Sequence, residues 1–179
     1  FVFVGDVAFS RETEPLWVTP GIADILRSGF TMANLECVLT DLPPSDPEAL
    51  VLDAPTRAAK WLSSAGVRVV SLANNHIMDR GPEGLQSTWK ALDEEGIQYV
   101  GAGLDESEAL EPLLLEHEGL NLGLVGRIDP RSFYGTHGIA EGSRPGPAPL
   151  CIDETVERGR QLRADGCDFT ACFVHWGVQ

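Results

Sequence analysis

The apolar run over residues 67–73 constrains this chain more than any other stretch, because a cluster of polar side chains follows it directly. A short apolar run of this kind predicts a buried strand, and in open α/β sheets the ligand crevice lies beyond the carboxyl ends of such strands. The residues that follow are Asn74, Asn75, His76 and Asp79. The neutral lone pairs of Asn75 and His76 suit a divalent metal ion, or an oxyanion held beside one. The alternative is a capped turn, in which these side chains bond only the backbone.

Three further apolar runs lead to polar side chains in the same manner. The side chains at their ends are Asp6, the pair Asn34 and Glu36, and His175. Helical patterns separate the runs, and strands that alternate with helices predict an α/β fold with a largely parallel sheet. Because the carboxyl ends of parallel strands meet at one edge, the four sets of polar side chains are expected together. Their carboxylate, amide and imidazole groups are ligands that dinuclear metal hydrolases use, so the pattern predicts a metal or phosphate site.

Two segments predict elements that surround this edge. The pattern over residues 20–28 predicts a short helix, with Ile22, Ile25 and Leu26 on the face that packs inward. The two apolar stretches within residues 113–126 flank a glycine turn, which predicts an antiparallel hairpin.

Two segments have the composition of loops. Residues 41–53 are rich in proline and acidic residues, which predicts a surface excursion at the rim of a substrate site. Residues 127–149 are rich in glycine and proline, and loops of this length are often functional. His137 and Arg144 lie in this second segment, where either side chain would reach an anionic substrate.

Composition excludes several classes of protein. Thirteen basic residues against 27 acidic ones give a net charge of −14, which disfavours nucleic acid or an anionic membrane surface as the main partner. The cysteines show no CxxC spacing, which argues against a zinc knuckle or a disulfide framework and favours buried free thiols. No apolar run reaches the length of a transmembrane helix. We expect residues 1–179 to form a single domain that is cut at its C-terminal side.

Several motifs, taken in order along the chain, resemble those of one known family. These motifs are Gly5-Asp6, Asn34-Leu35-Glu36, Leu72–Asp79 with Gly81 and Gly84-Leu85, Gly101-Ala102-Gly103, Arg144–Gly146 with Pro149-Leu150, and His175-Trp176-Gly177. Together they resemble the CapA/PgsA capsule synthesis protein family, also called the PGA_cap domain, of the calcineurin-like metallophosphoesterase superfamily. The specific part is Ala-Asn-Asn-His-x-x-Asp with a downstream His-Trp-Gly. The resemblance implies a four-layer αββα sandwich, and a role in poly-γ-glutamate capsule synthesis or export in bacteria.

The resemblance also implies a metal site. The residues that match its ligand positions are Asp6, Glu36, Asn75 and His175, and the ion would be Mn, Zn, Fe or Mg. His76 matches the histidine that protonates the leaving group. The residues predicted to contact substrate are Asn34, Asn74, Asp79, His137 and Arg144. This chain departs from the superfamily pattern at Ala8, where a histidine is expected, and the final Gly-His-x-His element would lie beyond Gln179.

A metal-dependent hydrolase is the function that this resemblance implies. The metal ion would activate water, and the substrate would be a phosphoester or a γ-glutamyl amide. The implied partners are an acidic polymer or a small anionic substrate, capsule synthase membrane proteins and no nucleic acid, and the implied location is the cell surface or a membrane. The alternative is a protein without catalytic activity that binds polymer or acts as a scaffold in a capsule synthase complex.

Overall fold

A computed structural model describes residues 1–11, 20–43, 51–132 and 138–177. The strands are β1 Val2–Val7, β2 Thr31–Leu35, β3 Val38–Leu39, β4 Asp53–Ala54, β5 Val67–Ser71, β6 Gln98–Val100, β7 Ala102–Gly103, β8 Leu113–His117, β9 Leu120–Ile128, β10 Gly146–Pro147 and β11 Phe169–His175. The helices are α1 Pro20–Arg27, α2 Ala58–Ala65, α3 Gly81–Glu94, α4 Glu106–Leu110 and α5 Ile152–Ala164. Among the described residues, no helix is long and apolar enough to cross a membrane.

Two main sheets organise these elements. The first is parallel and has the strand order β1-β2-β5-β6. The second has the order β11-β9-β8, in which β11 and β9 are parallel and β8 and β9 form an antiparallel hairpin. Two short ribbons complete the strands, one from β3 and β4 and one from β7 and β10. The predictions of a largely parallel α/β fold and of the hairpin are therefore confirmed.

The two sheets and the helices form four layers. Helices α2 and α3 pack on one face of the first sheet through a core that includes Leu62, Val70 and Leu85. The second sheet packs on the other face through Met32 and Leu124, among others, and α5 packs on its outer side. This order of helix, sheet, sheet and helix confirms the predicted four-layer αββα sandwich.

Glycine allows the backbone to turn or approach closely at two points. Gly66 ends α2 in the left-handed conformation with φ of 104°, and its N–H bonds to Leu62 and Ser63 carbonyls before β5 begins. Gly101 has φ of 92°, and a Cβ there would lie 3.0 Å from the Cα of Gly126 in the second sheet. The backbone that leaves the first sheet after β6 therefore nearly touches the backbone of β9 in the second sheet.

The first strand and helix differ from the sequence predictions. Strand β1 continues through Val7, so Asp6 lies inside the strand next to a register irregularity, although the apolar run ends at Val4. In α1, Leu26 is buried, but Ile22 and Ile25 are 52% and 60% exposed. The prediction that all three pack inward is wrong because, within the described part of the chain, α1 meets α2 and buries Ala23 and Leu26 but neither isoleucine.

Two further predictions also need correction. The segment after β9 is not a continuous loop, because β10 pairs with β7 and Glu141 bridges Arg144. Of the four cysteines, only Cys37 is buried, while Cys151 and Cys172 are exposed. The outer helix α5 and the edge strand β11 leave these thiols uncovered, which hydrophobic character alone does not reveal.

Candidate metal centre

Three residues converge at one point, one within β1, one directly after β2 and one at the end of β11. Strand pairing sets Asp6 of β1 beside Asn34 of β2, and the Glu36 N–H bonds to the Val7 carbonyl, which brings both carboxylates to the same edge. His175 ends β11 in the second sheet and reaches this edge from across the sandwich. Ligand atoms of Asp6, Glu36 and His175 all lie within 4.8 Å of one another. The site therefore spans both sheets.

Asn75 adds a fourth candidate ligand. Its Oδ1 lies 2.7 Å from His175 Nε2, which is also 3.5 Å from a carboxylate oxygen of Glu36. On the other side of the ring, His175 Nδ1 lies 3.7 Å from Asp6 Oδ1. Two carboxylates, an amide oxygen and an imidazole nitrogen are a donor set that fits a hard or borderline divalent metal ion. The sequence predicted these four ligands, and whether they bind a metal stays a prediction.

The two carboxylates differ in their surroundings. Asp6 is 55% exposed, whereas Glu36 is 13% exposed. Burial raises the pKa of the Glu36 carboxyl above its usual range, the charge of His175 opposes this, and the nearby Asp6 carboxylate adds to it. A cation between the two carboxylates would relieve both the desolvation and the like-charge repulsion.

Two buried asparagines orient the candidate ligands. Asn34 Nδ2 donates to Asp6 Oδ1 at 2.7 Å and lies 3.3 Å from His175 Nδ1. Asn74 Nδ2 donates to Asn34 Oδ1 and to the Leu35 carbonyl. Asn74 Oδ1 in turn accepts the backbone N–H groups of residues 76 and 77, so the turn after β5 fixes this amide. These contacts give both asparagines a positioning role, and their predicted contact with substrate remains a prediction.

His76 and Asp79 form a second pair beside this cluster. His76 Nδ1 lies 2.8 Å from Asp79 Oδ2, and the same oxygen accepts the Leu52 N–H at 2.8 Å. Both side chains are nearly buried, with 5% and 10% exposure. Burial raises the pKa of Glu36, and the charge of His76 opposes part of that rise.

A charged cluster next to this pair was not predicted. Asp53, which is 8% exposed, accepts two hydrogen bonds of 2.8 Å from Arg11 and forms an ion pair of 3.3 Å with Arg80. The hydrogen bond to Asp53 raises the pKa of Arg11. The guanidinium groups also donate to the Leu42 and Pro43 carbonyls. Asp53 lies in a stretch whose composition resembles an exposed loop, so only tertiary pairing reveals the cluster.

Two predicted residues remain, His137 and Arg144. His137 falls outside the described residues. Arg144 donates to the Ile139 carbonyl at 2.9 Å and to Glu141 at 2.7 Å, and within the described ranges its side chain bonds to none of the candidate ligands. Its predicted contact with substrate therefore stays a prediction.

The amino-acid sequence is similar to proteins of bacterial capsule synthesis. A family model described as bacterial capsule synthesis protein PGA_cap matches residues 1–179. The capsule biosynthesis protein CapA of Bacillus anthracis is 27% identical over 72% of this chain and 31% of its own length. The PGA biosynthesis protein CapA of Bacillus subtilis is 26% identical over 99% of this chain and 48% of its own length. This chain therefore spans less than half the length of these two relatives.

A solved structure also overlays part of the chain. The NAD nucleotidase of Haemophilus influenzae superposes with a TM-score of 0.49 and 17% sequence identity. The overlay covers 68% of this chain and 22% of that protein.

Proposed function

Because this chain belongs to the bacterial capsule synthesis protein family PGA_cap, we propose that its site binds a divalent metal ion and hydrolyses an anionic substrate of capsule synthesis. The observation that carries the proposal is the convergence of Asp6, Glu36 and His175 within 4.8 Å, with the Asn75 amide oxygen 2.7 Å from His175. Four ligands of this chemistry at the carboxyl ends of strands are typical of a metal site.

The residues of the chain divide into ligands and a proton donor. Asp6, Glu36, Asn75 and His175 would hold the ion, which would act as a Lewis acid and activate water for attack. His76 follows the candidate ligand Asn75 directly in the chain, and its imidazole is suited to protonate the leaving group. Asn34 aligns Asp6 and His175 and so limits the reorganisation that metal binding requires.

We propose a phosphoester or a γ-glutamyl amide as the substrate. One relative is described as a PGA biosynthesis protein, which connects the family to a polymer of acidic residues. The same association motivates capsule synthase membrane proteins as further partners. With a net charge of −14, the domain would hold such a polyanion through bound cations rather than through basic side chains.

The test measures metal binding first and hydrolysis second. Elemental analysis and calorimetry on the full-length protein are expected to show stoichiometric divalent metal, with affinity lost in Asp6→Ala and in His175→Ala. Matched controls are Asp24→Ala and His117→Ala, which remove the same groups outside the cluster. Turnover of a phosphoester or a γ-glutamyl amide that is lost in His76→Ala, with the fold retained, would support catalysis. Absence of metal in the wild-type protein would overturn the proposal.

A second candidate function is a polymer-binding or scaffold protein without catalytic activity. Ala8 stands where the superfamily pattern has a histidine, which removes one ligand of a dinuclear centre. Stoichiometric metal without turnover of either substrate, together with cation-dependent binding of poly-γ-glutamate, would favour this function.

A further inference from the structure

We propose that a cavity beside the candidate metal centre is a substrate subsite, in which Arg131 binds an α-carboxylate of a γ-glutamyl chain and Trp176 covers its methylene groups. Three segments of the chain line this rim cavity, within residues 129–132, 150–152 and 176–177. The inference rests on the proposed function and narrows it, because such a subsite favours a γ-glutamyl amide over a phosphoester as the substrate.

The rim cavity lies next to a candidate ligand. Trp176 follows His175 directly, so their Cα atoms lie about 3.8 Å apart. The Asp129 N–H donates to the His175 carbonyl at 2.9 Å, and the Gly177 N–H donates to Ser132 Oγ at 2.9 Å. These two bonds tie one wall of the cavity to the end of β11. A substrate chain bound at the metal centre would therefore enter the cavity by crossing the end of this strand.

Asp129 orients the guanidinium group of Arg131 in this cavity. The Nε of Arg131 donates to Asp129 Oδ1 at 3.1 Å, and Nη2 donates to Oδ2 at 2.7 Å. The backbone N–H of Arg131 also donates to Oδ1, at 3.0 Å. A guanidinium group has five N–H donors, and among the described residues Nη1 bonds to none. The remaining donors lie in a fixed plane, which suits a carboxylate that accepts two parallel hydrogen bonds.

The other walls of the rim cavity are apolar. Leu150, Ile152 and Trp176 line them. Ile152 and Trp176 are the two most exposed large apolar side chains among the described residues, so a ligand that covers them removes apolar surface from water. A γ-glutamyl chain carries methylene groups in its backbone and one α-carboxylate on each residue. It therefore matches a wall that combines apolar side chains with one oriented guanidinium group.

Asp129 also favours a ligand group with a single negative charge. Its carboxylate pairs with Arg131 at 2.7 Å, so the two charges together are close to neutral. Asp129 would repel a phosphate group with two negative charges more strongly than a carboxylate with one. The cavity volume of about 520 Å³ lies within the roughly 300–1,000 Å³ of small-molecule sites. Charge and size thus fit a short piece of a γ-glutamyl chain.

The test measures binding of a γ-glutamyl tetramer to the full-length protein by calorimetry. Arg131→Ala should raise the Kd by about 10- to 100-fold, because a charge-assisted hydrogen bond is lost. Trp176→Ala should raise it by about 4- to 15-fold, which corresponds to one or two methylene groups left in water. The tetramer with methylated α-carboxylates should bind the wild type about 10-fold more weakly or worse.

The matched control is Arg160→Ala. Arg160 is also an exposed arginine paired with one carboxylate, that of Glu157, but it lies on α5 outside the rim cavity. This variant should keep the wild-type Kd for the tetramer. Metal affinity, measured in the same proteins, should stay within about fivefold in Arg131→Ala, since an exposed charge contributes little.

The outcomes separate this inference from the proposed function. Absence of tetramer binding to the wild type, an unchanged Kd in Arg131→Ala or an equal loss in Arg160→Ala would overturn the inference. So would equal affinity for the methylated tetramer, or displacement of the tetramer by inorganic phosphate at equal concentration. Metal binding and turnover that do not depend on Arg131 would overturn the subsite alone. Tetramer binding that depends on Arg131 in a protein without metal would support the subsite and overturn only the proposed function.

Discussion

The candidate metal centre takes residues from two kinds of strand, the central strands of the first sheet and the edge strands of both sheets. These two kinds of strand differ in burial. All five residues of β2 are buried, and so are four of the five in β5. In β1 and β11, by contrast, no residue is buried. Glu36, Asn74 and Asn75 follow the central strands, whereas Asp6 and His175 lie on the edge strands.

This difference separates a central part of the site, whose residues follow buried strands, from an edge part, whose residues lie on strands without a buried residue. Asn74 makes its hydrogen bonds inside the core, so the fold itself fixes the central part. Asp6 and His175 meet that part mainly through Asn34 and Asn75. We infer that the buried core fixes the central part, whereas the two edge-strand residues depend on these hydrogen bonds for their position.

The largest change in the free energy of unfolding is expected when the hydrogen bonds of the central part are removed. Asn74→Ala should lower the free energy of unfolding by about 3 kcal/mol, because it leaves buried backbone groups without partners. Denaturant unfolding of the metal-free protein measures this loss. The control is the adjacent Asn75→Ala, which should cost about 1 kcal/mol or less because its side chain bonds to His175 and, among the described residues, holds no backbone group. Equal losses of stability in the two variants would contradict the distinction between the central part and the edge part of the site.

The next largest effect is the stabilisation that a bound metal ion gives through the edge-strand residue His175. A divalent ion at about 100 times its Kd should raise the free energy of unfolding by about 2.7 kcal/mol. In His175→Ala this gain should vanish, while the stability of the metal-free protein should change by less than about 1 kcal/mol. Thermal unfolding with and without metal measures both quantities. Equal stabilisation of the variant would show that His175 is not a ligand.

A smaller effect is expected at the open edge between the sheets. Phe173 of β11 is half-buried, and its ring centroid lies 5.7 Å from that of Phe3 in β1. Phe173→Ala should cost about 1.5 kcal/mol, below the roughly 3–5 kcal/mol of a fully buried phenylalanine. A double-mutant cycle with Phe3→Ala should give a coupling of about 0.5–1 kcal/mol. A cost near 4 kcal/mol would show that this edge is covered in the full-length protein.

The smallest effect is expected on the outer helix α1. Ile25→Ser should change the free energy of unfolding by no more than about 0.5 kcal/mol, because the side chain is 60% exposed. Its matched control is Leu26→Ala, one position along the helix, which should cost about 2 kcal/mol or more because Leu26 is buried. Denaturant unfolding compares the two. A large cost at Ile25 would mean that further structure covers this face.

Hydrophobic periodicity predicted the alternation of strands and helices in this protein, whereas its four layers were implied by the family resemblance. The alternation of apolar runs with helical patterns predicted the parallel sheet, and the glycine turn predicted the hairpin of β8 and β9. Both follow from local patterns, since strand and helix periods are read within a few residues. The family motifs then named Asp6, Glu36, Asn75 and His175 as a set, which the fold brings together.

Only the tertiary structure decided which face each outer element buries and what each polar side chain contacts. Ile22 and Ile25 are as apolar as Leu26, yet nothing in the described part of the fold covers them. Asp53 was assigned to an exposed stretch but lies between Arg11 and Arg80. Asp79 contacts His76 and the Leu52 N–H together, although Leu52 is 27 residues away in sequence. Burial and long-range hydrogen bonds depend on where distant segments meet, and local periodicity carries no information about that.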